Sequence, residues 1–401
     1  IYLVTSVVAH DFYKVPITIA FLISCVYAIG KHKKETLESR IDVFTQGAST
    51  KNIMQMLWIF ILAGAFANTA KDIGSIDATV NLILSLLPQS LILPGLFFAT
   101  CFISLSVGTS VGTIVALVPI AAGLATSMHA SLPLVTAVVV GGAFFGDNLS
   151  FISDTTIAAT NSQNCKMGDK FKVNIYIALP AALIVLAIYS FIGFNLHSLP
   201  VAQQIDIVKV LPYLAVLVTA MMGINVFTVL VTGVALAFVI GLFDGNHDVF
   251  SLFHSMGDGV LSMSELIIIT MLAGGLFGLV RHDGGIDYII SKISKRVKGK
   301  RGAELVICSL VAAVDVCTAN NTVAIITVGG IAQKISKVYD VDNRRVASLL
   351  DTSSCVMQGI IPYGAQMLMA SGLARLNPLD IIPYLYYPFI LLIFVLGSIM
   401  F

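Results

Sequence analysis

Charge is scarce in this chain. Only 11% of its 401 residues are Asp, Glu, Lys or Arg, while 57% are hydrophobic; a soluble domain carries about 25% charged residues. That shortage excludes a water-soluble globule and a disordered chain alike. A formal net charge of +1 gives no electrostatic footprint for a nucleic-acid partner. Cysteine is sparse too: Cys25, Cys101, Cys165, Cys308, Cys317 and Cys355 sit mostly inside apolar runs with no metal-site spacing, and read as small packing residues. The seven histidines fall in loops or at helix ends without ligand pairing. Neither an enzyme nor a resident cofactor is expected.

What the chain has in abundance is apolar runs, at intervals from residue 1 to residue 401, many of them near the ~20 residues that cross a bilayer as a helix. The expected fold is an all-α polytopic membrane protein. Its opening, "IYLVTSVVAH", starts mid-pattern and reads as a truncated first helix rather than a signal peptide. Two runs are interrupted, 91–127 by "SVGTSVGT" and 303–337 by "VDVCTANNT". Their arms, ~15–17 residues each, are short for a crossing, so each pair is expected to form a re-entrant hairpin. Segments 132–160 and 343–373 are overlong with polar centres, and read as transmembrane helices unwound halfway. The amphipathic stretches near 31–51 and 282–301 are expected to lie along the interface.

The chain also repeats itself. "LAGAFANTAKDIGSID" (62–77) matches "LAGGLFGLVRHDGGID" (272–287) at an offset of 210, which also lays "SVGTSVGTIVALVPIA" on "VCTANNTVAIITVGGI". With a shorter connection Asp147 falls on Asp351 and Ser150 on Ser354. The expected organisation is a first repeat over 1–193, a linker at 194–207 and a second repeat over 208–401. Each repeat has five crossings, and an odd repeat must return inverted in the membrane. Loop charge agrees: lysine plus arginine divides 19 to 4 between the two sides, the four being Lys14, Lys71, Lys209 and Arg375. The richer side is expected to be cytoplasmic, with both termini on it.

In this topology every basic residue goes to a loop or helix end, whereas Asp147, Asp154, Asp315 and Asp351 stay at membrane depth. An intramembrane carboxylate is costly and marks function by default. Broken helices free backbone carbonyls, and these, with carboxylate and hydroxyl oxygens, suit a hard cation. Thr109, Ser110 and Thr113 at the first tip, and Asn320, Asn321 and Thr322 at the second, are expected to complete the cage. Asn148, Ser150, Ser153, Thr155, Ser353 and Gln358 line the breaks. Out of water, such a carboxylate holds either a proton or a cation, and competition for one site yields exchange.

"GTSVGTIVALVPIA", "GGAFFGDNLSFISDTT" and "DTSSCVMQGIIPYGAQ" together resemble the NhaC-type sodium/proton antiporter family over nearly the whole chain. The resemblance implies Na+ export in exchange for H+ in a bacterial-type plasma membrane, with Na+ at Asp147, Asp154 and Asp351 beside Ser110 and Asn320. It also implies kinship with the ion-transporter superfamily, whose members often form homodimers and move by an elevator. Some relatives couple Na+ and H+ to organic acids such as malate and lactate, so a carrier of a small organic solute is the alternative. Such an anion usually needs a deep basic residue, and none is expected here.

Overall fold

Residues 16–31, 35–194, 206–294 and 299–400 are described by a computed structural model, and they form helices with no strand among them. The expected truncated helix at 1–9 and most of the linker lie outside the described residues. The first half contains α1 (Ile17–Gly30), α2 (Leu37–Ala48), α3 (Lys51–Asp72), α4 (Ser75–Leu86), α5 (Ile92–Val107), α6 (Ser110–Ser127), α7 (Leu132–Leu149), α8 (Asp154–Gln163) and α9 (Met167–Phe194). The second contains α10 (Ile207–Met221), α11 (Val226–Phe243), α12 (Val249–Ser262), α13 (Ser264–His282), α14 (Gly285–Ser294), α15 (Gly299–Thr318), α16 (Asn321–Tyr339), α17 (Asn343–Ile360), α18 (Ala365–Ala374), α19 (Pro378–Ile381) and α20 (Tyr386–Met400).

Seven spans among the described residues are long and apolar enough to cross a membrane, or eight if the bent pair at Pro378–Met400 counts as one. This is a multi-pass membrane protein. The helices α15, α16 and α17 are not among those spans, because charged and amide side chains interrupt them. Trp58, Phe98, Tyr176 and Phe191 expose large apolar surface on the outside of the bundle, as lipid-facing positions do.

Two layers emerge from the packing. The outer one pairs α3 with α12 and α11, and, reciprocally, α13 with α2 and α1. Glycines let these backbones touch: a Cβ on Gly64 would lie 2.2 Å from the Gly259 carbonyl, and one on Gly47 would lie 2.7 Å from that of Gly274. A buried Arg40 on α2 joins the halves by an ion pair to Asp283. In the inner layer α5 packs on α7 and α15 on α17, while α8 crosses to α16 and α18 to α6.

Backbone geometry matches the halves more closely than sequence does. An 18-residue α7, a break at 150–153 and a 10-residue α8 are mirrored by an 18-residue α17, a break at 361–364 and a 10-residue α18. Before α6 and α16 the chain turns through a left-handed residue, Gly108 (φ 72°) and Ala319 (φ 52°), then an extended one, Thr109 and Asn320. These features repeat at an offset of 211, one residue beyond the 210 expected at the tips and seven beyond the 204 that set Asp147 on Asp351. The correction matters at the breaks: Asp147 corresponds to Gln358, not to Asp351. Asp351 sits mid-helix in α17, more than two turns before its break. Three of the four hairpin arms are longer than expected: 18 residues in the first pair, beside one of 16, and 20 and 19 in the second.

The small residues of "GGAFFG" exist for the α5–α7 contact. Gly142 faces Thr100, and a Cβ on Gly146 would lie 2.0 Å from Ser104 Oγ, whose hydroxyl donates to the Ala143 carbonyl at 2.7 Å. Gly146→Val therefore overpacks the helix pair and costs about 1–3 kcal/mol. The expected outcome is a lower melting temperature of the detergent-purified protein, checked by thermal unfolding against Gly397→Val, whose position has open space around it.

Candidate cation site

A cavity of about 850 Å3 lies between α3 and the inner layer. Both tips and both breaks reach it. Of the sequence-predicted residues, Thr109, Ser110, Asp147, Asp154, Asn320, Asn321 and Gln358 line it, whereas Asn148, Ser150, Asp315, Asp351 and Ser353 do not. Lys51, Asn52 and Gln55 of α3 face them from the far wall.

Asp147 stands three residues from the end of α7 and is only 4% exposed. Its Oδ1 accepts the backbone N–H of Ser110 at 3.1 Å, from the first residue of α6. A helix N-terminus leaves such amides unpaired and favours negative charge, so the hairpin turn at Gly108 is what delivers a donor to the carboxylate. A Cβ on Gly108 would meet Ile152 Cγ1 at 2.4 Å, which holds the tip tight against the break. Asp154 opens α8 and is exposed to the cavity.

The carbonyls freed by the first break do not form part of a cage. That of Asp147 accepts Thr155 and Thr156 hydroxyls at 3.3 and 3.4 Å. That of Asn148 accepts Lys170 Nζ at 2.9 Å and Asn174 Nδ2 at 2.8 Å. Ser150 Oγ donates to the Leu105 carbonyl at 3.0 Å, tying the break to α5. Buried acceptors are costly to leave unpaired, and here side chains satisfy them. At the second tip Asn320 Oδ1 accepts Val323 N–H at 3.0 Å as the N-cap of α16, and Asn321 Oδ1 accepts Thr322 N–H at 3.0 Å. These amide oxygens, expected in the cage, are engaged in holding the turn.

Gln358 takes the place that Asp147 has in the first half. Its Nε2 donates to the Ala319 carbonyl at 3.0 Å and to Gln366 Oε1 at 2.8 Å; Gln366 Nε2 in turn donates to Ser110 Oγ at 2.9 Å. One chain of hydrogen bonds thus runs from the second tip, through the second break, to the first tip and Asp147. Gln358 is among the residues lining the cavity, and its Oε1 is buried without a hydrogen-bond partner among the described residues. Asp315 is fully buried with neither oxygen hydrogen-bonded, and Ser353 is buried on α17.

The expectation that no basic residue stays deep is corrected by Lys170. On the fourth residue of α9 and 1% exposed, it meets the fully buried Asp351 at 2.7 Å. A ten-residue α8 rises only about 15 Å, so the return helix begins near the break, and a four-carbon stem covers the remainder. Lys170, Asn174, Tyr387 and Gln366 were all missed. Lys170 and Asn174 share one face of α9 at i, i+4 spacing, which is the signal that was available. Tyr387, donating to Asn148 Oδ1 at 2.9 Å, sits among apolar residues and offered none.

Among the described residues no three His, Cys, Asp or Glu side chains gather as for a transition metal. Carboxylate, hydroxyl and amide oxygens around such a cavity suit a hard cation or a proton.

The Na+/H+ antiporter family model matches residues 3–199 and again 196–401. The chain belongs to the Na+/H+ antiporter family. It is a transporter, not an enzyme. Among its relatives, the Na+/H+ antiporter NhaC of Bacillus subtilis is 24% identical, over 85% of this chain and 82% of that protein. The malate-2H+/Na+-lactate antiporter of the same organism is 21% identical over 94% and 88%, and the arginine/ornithine antiporter ArcD of Halobacterium salinarum 22% over 87% and 79%. The YdaH transporter of Alcanivorax borkumensis, a solved structure, aligns over 95% of this chain and 97% of that one, with 13% identity and a TM-score of 0.46.

Asp147→Asn keeps the shape of the side chain and removes its charge. Na+-driven proton movement in vesicles is expected to fall to the level of empty liposomes with the melting temperature little changed. Asp258→Asn, on an exposed position of α12, is expected to stay within about twofold of native. A pH-sensitive dye in the lumen reads both.

Proposed function

We propose that the chain exchanges Na+ for H+ across a bacterial-type cytoplasmic membrane by alternating access, with Asp147 as the carboxylate that both ions compete for. The observation that carries this reading is Asp147 itself: a buried acid at a helix break, paired with backbone N–H and no basic side chain, on the wall of a cavity. Desolvation makes its bare anion costly, so proton or cation neutralises it before the site moves. Asp154, Ser110 Oγ and Gln358 Oε1 supply further oxygens. Asp351 leaves the expected Na+ set, because its charge is already met by Lys170.

In this reading the two halves, 1–193 and 208–401, are inverted repeats of five crossings with re-entrant hairpins and broken helices. The twofold family match, the reciprocal packing and the matched breaks support it. With the lysine-rich side cytoplasmic, the cavity opens inward, since Lys51 at the start of α3 and Asn161 near the end of α8 lie at its mouth. The outer layer is then the scaffold past which the inner layer carries its ion.

A second reading is favoured by size. The cavity exceeds what one cation needs and adjoins another of about 730 Å3, with Lys51, Asn52, Met56 and Asn320 common to both. Organic solutes occupy cavities of roughly 300–1,000 Å3, and two relatives carry malate with lactate, or arginine with ornithine, in their names. Proteoliposomes with a luminal pH dye separate the two. Sodium added alone, against lithium and potassium, is expected to move protons. If protons stay still until lactate, malate or arginine is supplied, the exchange reading is wrong and the organic-solute reading stands.

A further inference from the structure

The buried ammonium of Lys170 spends every donor it has. An ammonium has three N–H groups and accepts nothing. They go to the Asn148 carbonyl at 2.9 Å, Thr156 Oγ1 at 2.6 Å and Asp351 Oδ2 at 2.7 Å. The first two oxygens lie on either side of the first break, one at the end of α7 and one in the opening turn of α8. The third belongs to α17 in the other half. Asn174, one turn along α9, repeats the pattern: its Nδ2 reaches the Asn148 carbonyl at 2.8 Å and Asp351 Oδ2 at 2.9 Å. Asn148 Nδ2 closes the group on Asp351 at 3.4 Å.

From this we infer that Lys170 is a positioning residue of the exchange site, a tethered cation that permanently occupies Asp351 and fixes the Asn148 carbonyl, leaving Asp147 as the exchanging carboxylate. The inference rests on the reading that Asp147 trades Na+ for H+. Its geometry is independent of that reading. Asn148 is bonded directly to Asp147 in the chain, so whatever holds the Asn148 carbonyl sets the direction in which the last turn of α7 presents the carboxylate. Lys170 and Asp351 are both absent from the cavity wall, which places their charges out of reach of the passing ion. The site then keeps a neutral internal pair away from the acids on the cavity wall, Asp147 and Asp154. Without the lysine, Asp351 becomes a further uncompensated acid beside Asp147 and competes for the proton or cation meant for it.

The test is a double-mutant cycle in proteoliposomes, reading the KM for Na+, the maximal rate and the protons moved per Na+. Lys170→Gln and Asp351→Asn each leave one buried charge unpaired. Each is expected to raise the KM for Na+ by about tenfold or to lose folding outright, as judged by the melting temperature. The double variant buries no unpaired charge, keeps an amide N–H at position 170 and that of Asn174 for the Asn148 carbonyl, and is the decisive arm whether or not the single variants fold. It is expected to fold, to recover a KM within about threefold of native, and to move the native number of protons per Na+. A Lys170→Gln protein with native KM and native stoichiometry overturns the inference. So does a folded double variant whose KM stays raised, because Lys170 would then not act through Asp351. Native protein that exchanges nothing instead sinks the underlying reading, and the two failures are told apart by that control.

Discussion

Burying a carboxylate where water cannot reach it creates a debt of solvation that some positive charge or proton has to meet. The organisation of this protein follows from meeting it in two different ways. Asp351 is answered inside the chain, by Lys170. Asp147 is answered only by one backbone N–H and the positive end of a helix, which ease an anion without neutralising it. On the proposed reading the first solution is permanent and the second is open to exchange. Hairpins and broken helices are the means by which the fold brings helix ends, rather than helix flanks, to that depth.

The same logic explains how thoroughly the breaks are braced. A helix interrupted in an apolar interior frees carbonyls that have no water to turn to. Here threonines at the start of α8, with Lys170 and Asn174 from α9, take up those of Asp147 and Asn148. Among the described residues that line the cavity, the Gln358 Oε1 oxygen has no hydrogen-bond partner and the Asp147 carboxylate has the Ser110 N–H. On the proposed reading the bracing serves the structure and the cavity oxygens serve transport. The chain of amides from Ala319 through Gln358 and Gln366 to Ser110 also means that neither tip moves without the other.

Much of this was legible beforehand. Polar interruptions marked the two helix–turn–helix pairs, although both arms of the first are long and apolar enough to cross a membrane. Polar residues in the middle of overlong runs marked both breaks, and the acids stood out because so few charges were present. The repeat was seen, but its register slipped. The shared motif of α3 and α4 keeps an offset of 210, as the left-handed Gly74 and Gly284 show, while the tips and breaks follow 211. One extra residue separates the two offsets, whereas the shorter connection assumed before the breaks, an offset of 204, put Asp147 on Asp351 instead of Gln358. The basic residues misled for a different reason. Loop counting assigns Lys170 to the cytoplasmic side by position along the chain, yet a lysine's stem reaches about a full helical turn, and direction is set by packing that no one-dimensional pattern encodes. Asn320 and Asn321 were placed correctly but given the wrong task, since a residue suited to ligating a cation is equally suited to capping a helix.

The central claim, one carboxylate shared by two ions, is tested most directly on purified protein in weakly buffered detergent, by adding Na+ and following the pH of the solution. If proton and sodium compete for Asp147, Na+ binding releases protons in proportion to the sodium bound, and the release disappears when that residue is made asparagine. Sodium bound with no protons released, or an undiminished release from the asparagine variant, would contradict it.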